Sequence, residues 1–136
     1  MTDMYRQRIA AEDARKMKAD HMIAVAIGVL TPLDVLESAL HATHRPLRTV
    51  RLSSLFGPLD KGAPKAAKKS HVPWRTLRPR LLSALDLDPR TPDKTLTIGW
   101  VHDPRAGGRR WFALRDALRP RDEPPWPGFP WAPPPT

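Results

Sequence analysis

Two arginines near the start of a predicted helix could bind an anion. Arg75 and Arg78 follow Trp74, where an apolar helical pattern begins. The first amides of a helix have no partner within the helix, and the helix dipole favours negative charge there. Two cationic side chains beside such amides predict a site for a phosphate group.

A pair of glycines followed by a pair of arginines predicts a second anion site. Gly107 and Gly108 can adopt backbone conformations in which successive amides point toward one ion. Arg109 and Arg110 add two guanidinium groups directly after them. This combination is typical of a chain that holds phosphates through side-chain charge and backbone together.

Lysines before Trp74 form a third cationic group. Lys65, Lys68 and Lys69 lie in a stretch of small residues, 59–70, that is predicted to be a loop. A flexible cationic arm of this kind could follow a nucleic-acid backbone or enter a groove. The full set of predicted DNA-binding residues is Lys65, Lys68, Lys69, Arg75, Arg78, Arg80, Arg105, Arg109, Arg110 and Arg115.

Positive charge is concentrated in one half of the chain. Of the 23 basic residues, 15 lie within residues 61–121, which hold five acids and carry a net charge of +10. Residues 1–60 are nearly neutral. This segregation is typical of proteins that bind nucleic acid, because cations docked on phosphates release condensed counterions. We expect double-stranded DNA as the partner, with RNA as an alternative.

The sequence contains no complete set of residues for a metal site or for nucleophilic catalysis. The chain has no cysteine, its five histidines have no carboxylate at standard metal-ligand spacing, and Asp86-x-Asp88 lacks the glycine and glutamate of a calcium loop. Ser70-His71 has no third group to orient it, and the sequence has no nucleophile elbow. We therefore predict a protein that is not an enzyme and that has no metal or other cofactor.

The sequence also predicts a cytoplasmic protein. Its longest apolar run, residues 22–30, is shorter than the ~20 residues that cross a bilayer. No signal peptide and no membrane partner are expected, and the basic half favours location on the nucleoid.

Apolar periodicity and capping residues predict mainly helical structure. The predicted helices cover residues 3–27, 31–42, 48–56 and 74–85. Thr31-Pro32 is a start signal, whereas Pro79 predicts a kinked helix or a turn followed by a helix from that residue. The residues expected to face inward are Leu33, Leu36, Leu40, Leu52, Leu55, Phe56, Trp74, Trp100 and Trp111. For the three tryptophans, stacking on unpaired bases is the alternative.

The pattern changes in the last third of the basic half. Residues 95–101 alternate apolar and polar side chains, which predicts a strand or an extended segment. Turn residues follow, and the spacing of apolar residues from position 109 then favours a last helix. The alternative is a β-hairpin wing over residues 95–114 with Arg105 at its tip, as in a winged-helix protein.

The final residues predict an extended Pro-rich tail. Residues 122–136 contain seven of the 17 prolines together with Trp126, Phe129 and Trp131. The segment 125–131, which begins at Pro125 and ends at Trp131, could bind a partner protein or fold back across the domain. The predicted organisation is a charged N-terminal helix (1–28), a basic helical DNA-binding domain (29–121) and the Pro/Trp-rich tail (122–136).

This order of elements resembles the actinobacterial integration host factor family, DNA-binding proteins with a helix two-turn helix fold. The matching features, within residues 4–118, are a long charged first helix, a short helix opened by Thr31-Pro32, the basic segment 50–56, the basic helix 74–85, and Ile98-Gly99-Trp100 before an arginine-rich last helix. In place of the family's Gly-x-Gly turn this chain has the longer, lysine-rich residues 59–74, and residues 103–108 look like an insertion.

The resemblance implies binding to duplex phosphates with little sequence preference and an architectural role. We therefore predict a non-enzymatic DNA-binding protein of the nucleoid-associated or phage-accessory type. The alternatives are a protein-docking regulator or virion component that uses the Pro/Trp-rich tail, and a winged-helix DNA-binding protein.

Overall fold

The computed structural model describes residues 2–119, and helices make up most of this part of the chain. The α-helices are α1 (Thr2–Ala26), α2 (Pro32–Ser38), α3 (Leu52–Leu55), α4 (Lys65–Ser70), α5 (Trp74–Ala84), α6 (Ile98–Val101) and α7 (Arg109–Ala117). Two 3-10 helices, Ala42–Thr49 and Pro104–Ala106, lie between them. The predictions of a mainly helical protein and of a long N-terminal helix are confirmed. The helix two-turn helix arrangement stays a prediction, and the predicted tail 122–136 lies outside the described residues.

A reciprocal cap opens α2 where the sequence predicts it. The Thr31 hydroxyl accepts a hydrogen bond from the Asp34 amide at 3.1 Å, and the Asp34 carboxylate accepts one from the Thr31 amide at 2.9 Å. The helix ends at Ser38, four residues earlier than expected. Leu36 is fully buried, but Leu40 lies beyond the helix and is exposed, so the prediction that it faces inward was wrong.

Residues 59–70 are not all loop as predicted, since α4 forms within them. Its alanines and lysines are good helix formers, and Pro64 immediately precedes the first turn. Gly28, at φ +83°, lets this helix approach the end of α1, because a Cβ there would lie 2.8 Å from Pro64 Cδ and 2.9 Å from Ala67 Cβ. The turn after α1 and the start of α4 are therefore in direct contact.

Helix α5 runs through Pro79 without a break, so the second of the two predicted alternatives, a turn followed by a helix from Pro79, was wrong. The proline removes one amide from the helix and leaves the carbonyl of Arg75 without its usual donor. Both residues lie on the exposed side of α5, where water can hydrogen-bond that carbonyl. The buried side of the helix carries Leu77, Leu81 and Leu82, as the apolar spacing predicts.

The predicted strand over residues 95–101 was wrong, because the second half of this segment is α6. The Thr97 hydroxyl caps this helix by accepting a hydrogen bond from the Trp100 amide at 3.1 Å. The extended part is limited to an isolated antiparallel bridge between Arg51 and Thr97, and no strand forms within residues 2–119. The hairpin alternative was therefore wrong too, and α7 confirms the helical reading of the residues after position 109.

The bridge also shortens the predicted helix over residues 48–56. Residues up to Thr49 form a 3-10 helix, Val50 and Arg51 are extended, and only α3 is α-helical. The Leu52 amide donates to the Leu96 carbonyl and the Ile98 amide to the Val50 carbonyl, both at 2.9 Å. Two segments distant in sequence are thus joined through their backbones.

A single apolar cluster lies at the centre of these helices. Its buried members are Val25, Val35, Leu36, Ala39, Leu47, Val50, Leu52, Leu55, Phe56, Leu77, Leu81, Leu82, Leu96, Ile98, Val101, Ala113, Leu114 and Ala117. The end of α1 packs on the first 3-10 helix, α5 packs on α7, and α6 contacts both that 3-10 helix and α7. Trp74, Trp100 and Trp111 are partly buried against the cluster, which confirms their predicted role in core packing.

Candidate nucleic-acid interface

The lysines of α4 form an exposed cationic group. Lys65, Lys68 and Lys69 all lie on the surface, and the Lys68 ammonium donates to the carbonyl of Lys61 at 2.5 Å. None of them has a carboxylate within 4.0 Å in the part of the chain that the structure describes. Their charges are therefore available to an anion in solvent.

Arg75 is also exposed, in the first turn of α5. The amides of this turn are less available than the sequence predicts, because the Trp74 amide donates to the Phe56 carbonyl at 3.1 Å. The amides of Thr76 and Leu77 both donate to the Pro73 carbonyl. What α5 offers an anion at this end is mainly the guanidinium of Arg75.

Arg78 makes its hydrogen bonds inside the protein, so it is less available to DNA than the sequence predicts. Its Nε donates to the Asp93 carboxylate at 3.0 Å, and its Nη2 donates to the carbonyls of Pro89 and Thr91 at 2.7 and 2.8 Å. Three acceptors from the loop after α5 thus converge on one side chain. Arg78 holds that loop against the helix.

Arg80 and Arg110 also make contacts inside the protein. Arg80 Nη1 lies 3.4 Å from the carbonyl of Ala117, which links α5 to α7. Arg110 Nη1 donates to the Trp100 carbonyl at 2.9 Å, and its guanidinium lies 4.5 Å from the centroid of the Trp100 ring. Both arginines join helices within the domain.

Arg105 is exposed but not a free cation. Its Nη2 lies 2.9 Å from Asp103 Oδ2, and its Nε also contacts the same carboxylate. Hydrogen bonds from the Arg105 side chain and amide lower the pKa of Asp103, and Arg110 lies 4.0 Å away. Since Asp103 balances this arginine, the predicted role of Arg105 as a phosphate contact is weakened.

Both glycines before α7 adopt the left-handed backbone conformation, and the Gly107 amide donates to the Pro104 carbonyl at 3.1 Å. Gly107 and Gly108 have φ values of +61° and +82°, and a Cβ at either residue would meet nothing within 4 Å. The first backbone hydrogen bond of α7 runs from the Phe112 amide to the Gly108 carbonyl, at 3.0 Å. The amides of α7 that precede Phe112 are therefore free, as at any helix start. Arg109 is exposed beside them, with Nε 3.4 Å from the Ala106 carbonyl.

The outer face of α7 carries the predicted Arg115 and adds Arg119 and Phe112, which the sequence analysis did not single out. Arg115 is exposed, and its guanidinium lies 5.7 Å from the Trp111 ring centroid. Arg119 is exposed one turn later, with Asp116 at 3.8 Å. Phe112 is exposed on the same face. Helical spacing could have revealed them, since position 112 falls opposite the apolar positions that pack inward.

Helices α4 and α7 border the same apolar residues. Leu33 and Leu118 line a cavity that is bordered by Ala67 and Ser70 of α4. The same two leucines line a depression bordered by Phe112, Arg115 and Arg119. Leu33 and Leu118 therefore lie near both α4 and the outer face of α7.

Other candidate chemistries are not assembled in the part of the chain that the structure describes. Within residues 2–119 no group of three or more histidine, aspartate or glutamate side chains is placed to hold a metal ion. His21, His41 and His44 lie near one another, with ring centroids 5.5 Å apart for His21 and His44. None of the helices described is long and apolar enough to cross a membrane.

Comparisons with models of protein families, with curated proteins and with solved structures gave no match. The resemblance to the integration host factor family therefore rests on the sequence pattern alone.

Proposed function

We propose that this protein is a non-enzymatic DNA-binding protein that holds duplex phosphates with little sequence preference. The observation that carries the proposal is a set of exposed cations on α4, in the first turn of α5, along α7 and directly after it. It comprises Lys65, Lys68, Lys69, Arg75, Arg109, Arg115 and Arg119. The role is architectural, in a nucleoid-associated or phage-accessory setting, as the integration host factor-like pattern implies.

The excess of charge supports binding rather than solubility alone. A net charge of +10 on residues 61–121 is large for a segment of this size, and the other half of the chain is nearly neutral. Backbone phosphates present regularly spaced anions, and each neutralised phosphate releases counterions. Because the contacts are to phosphates and not to base edges, affinity should vary little with sequence.

Four of the predicted contacts have a different role in this proposal. Arg78, Arg80, Arg105 and Arg110 stabilise the domain or are balanced by Asp103, so they shape the interface instead of forming it. The arginines proposed to meet DNA are the exposed ones, Arg75, Arg109, Arg115 and Arg119.

The test is duplex binding across a salt series, measured by fluorescence anisotropy of a labelled random-sequence duplex. We expect log Kd to depend linearly on log salt, with a slope of about 0.9 for each phosphate neutralised. The variant K65Q/K68Q/K69Q should bind more weakly on every sequence and lose about one unit of slope for each lysine that contacts a phosphate.

A matched control carries the same loss of charge in the neutral half. R6Q/R8Q/K16Q removes three exposed cations from α1 and should leave affinity nearly unchanged. Equal losses of duplex affinity in the two triple variants would contradict the assigned interface. Failure of the wild-type protein to prefer duplex DNA over polyglutamate would overturn the proposal and favour the protein-docking alternative through residues 125–131, which lie outside the described part of the chain.

A further inference from the structure

Phe112 is the most exposed of the large apolar side chains in the described part of the chain. It is 73% exposed, although burying a phenylalanine ordinarily stabilises a protein by about 1.5–3 kcal/mol. Packing therefore does not explain a phenylalanine at this position. A single exposed apolar residue is common on protein surfaces, so its surroundings decide whether it has a role.

The surroundings of Phe112 are arginines. Ala113, Leu114 and Ala117 face the core, and Phe112 points to the opposite side of α7. Arg109 lies three residues before it and Arg115 three residues after it, which places both beside the ring on the helix surface.

A third arginine extends the same row. Arg119 follows Phe112 by seven residues, or about two turns, and its chain continues the last turn of α7 through a hydrogen bond from its amide to the Asp116 carbonyl at 3.1 Å. Asp116 is the single acid on this face within residues 109–119, so the face keeps a positive charge.

Open space lies on both sides of the ring. Phe112 borders one depression with Gly107, Gly108 and Arg109, and a second with Arg115 and Arg119. A flat group can therefore approach the ring without displacing a protein side chain. Flanking anions would then lie within reach of the arginines.

We propose that Phe112, flanked by Arg109, Arg115 and Arg119, is a stacking platform for an unpaired nucleobase. The ring provides an apolar surface for the base, and the arginines hold the phosphates on either side of it. This inference rests on the proposed function and deepens it. The preferred substrate has at least one base out of the helical stack, as in a bulge, a junction or a displaced single strand.

Charge complementarity selects this occupant over an apolar protein partner. A protein ligand that buried Phe112 would also have to neutralise the three arginines around it, whereas a nucleic-acid strand brings a phosphate with each base. A perfect duplex hides the faces of its bases, so Phe112 should contribute little to binding it.

The experiment compares variants of Phe112 on three probes: a single-stranded oligonucleotide containing 2-aminopurine, a duplex with one bulged 2-aminopurine, and the perfectly paired duplex. Wild-type protein should quench the fluorescence of the unpaired 2-aminopurine by stacking. F112A should abolish the quenching and weaken binding to the bulged duplex about 5- to 100-fold, as expected for one base–aromatic stack. Its affinity for the perfect duplex should not change.

Two further substitutions separate stacking from simple apolar contact. F112W keeps an aromatic surface and should retain quenching and affinity, whereas F112L keeps bulk without a ring and should behave like F112A. V29A is the matched control, because Val29 is also highly exposed but lies in the neutral half. If F112L quenched 2-aminopurine and bound the bulged duplex as well as the wild-type protein does, the stacking proposal would be overturned.

The outcomes also separate this inference from the proposed function. Salt-dependent duplex binding with F112A indistinguishable from wild type on the bulged probe would overturn the stacking site alone. If the protein bound the unpaired probes in a way that depends on Phe112 but did not bind the perfect duplex, the duplex proposal would be overturned and the stacking platform supported. Thermal unfolding of F112A should match wild type, since the exposed ring makes little contribution to the core.

Discussion

His102 is the residue whose environment most clearly changes its chemistry. Its ring nitrogen Nε2 lies 2.7 Å from the Leu36 carbonyl, and the ring contacts Trp111 edge-on at 4.9 Å between centroids. Burial lowers the pKa of His102 and the positive charge of Arg48 lowers it further, while the hydrogen bond to Leu36 acts in the opposite direction. The folded protein therefore favours the neutral imidazole.

This shift predicts a loss of stability in acid. Because the unfolded chain binds a proton at His102 more readily than the folded chain does, the contribution of His102 is fully present above its ordinary pKa of 6.5. It is lost as the pH falls through 6.5 toward the lowered folded value. Urea unfolding at a series of pH values should show this loss in wild type and a smaller one in H102Q, in which the amide can still donate to Leu36. Identical pH profiles would contradict the assignment.

The arginines show what sequence alone predicts at this scale. Composition and spacing correctly place cations in the basic half and at the open turn of Gly107 and Gly108. They could not show that Arg78 binds Asp93 and the loop carbonyls around it, because those acceptors come together only when the loop folds back on α5. An arginine's role depends on acceptors that are distant in sequence.

At the scale of elements, the contact between the turn after α1 and α4 depends on one glycine. Gly28 has both a positive φ and no room for a Cβ, whereas Gly107 has a positive φ in open space. Substitutions at Gly28 and Gly107 can therefore distinguish the cost of backbone strain, which both share, from the cost of crowding, which is present only at Gly28.

We expect G28A to destabilise the protein more than G107A. Each alanine should cost about 1 kcal/mol for the left-handed backbone, and crowding against Pro64 and Ala67 should add about 1–3 kcal/mol at position 28. The free energy of unfolding in urea measures both. Equal losses would show that α4 moves away from the turn at little cost.

Short elements were the ones that sequence patterns misassigned. α6 has only four residues, and over so short a segment the periodicity of a helix cannot be distinguished from that of a strand. The cap formed by Thr97 was the signal that could have identified this helix. α4 was predicted as loop because its alanines, lysines and serine give no apolar periodicity, although alanine and lysine are good helix formers. Long or well-capped elements, α1 and the start of α2, were predicted correctly.

For the whole molecule, the first half of α1 lies apart from the rest. Residues 3–13 are exposed on every side, and the helix first contacts the core at Met17. Most of the stability of a helix in a protein comes from such packing rather than from propensity. Folding of the domain should therefore not require this part of α1.

Deletion of residues 2–13 should leave the free energy of unfolding within about 0.5 kcal/mol of the full chain. Duplex affinity should also be nearly unchanged, since the deleted residues hold two basic and three acidic side chains. Urea unfolding and anisotropy measure the two quantities. A loss of more than about 1 kcal/mol would show that the exposed half of α1 supports the core.

The backbone bridge between Arg51 and Thr97 affects how the chain can fold as it is made. Synthesis proceeds from the N-terminus, so the Val50 carbonyl and the Leu52 amide have no partners until residues 96–98 have left the ribosome. A long loop must then close before these hydrogen bonds form. The neutral half cannot complete its core until residues 96–98 have been made, so folding of the domain waits for both segments.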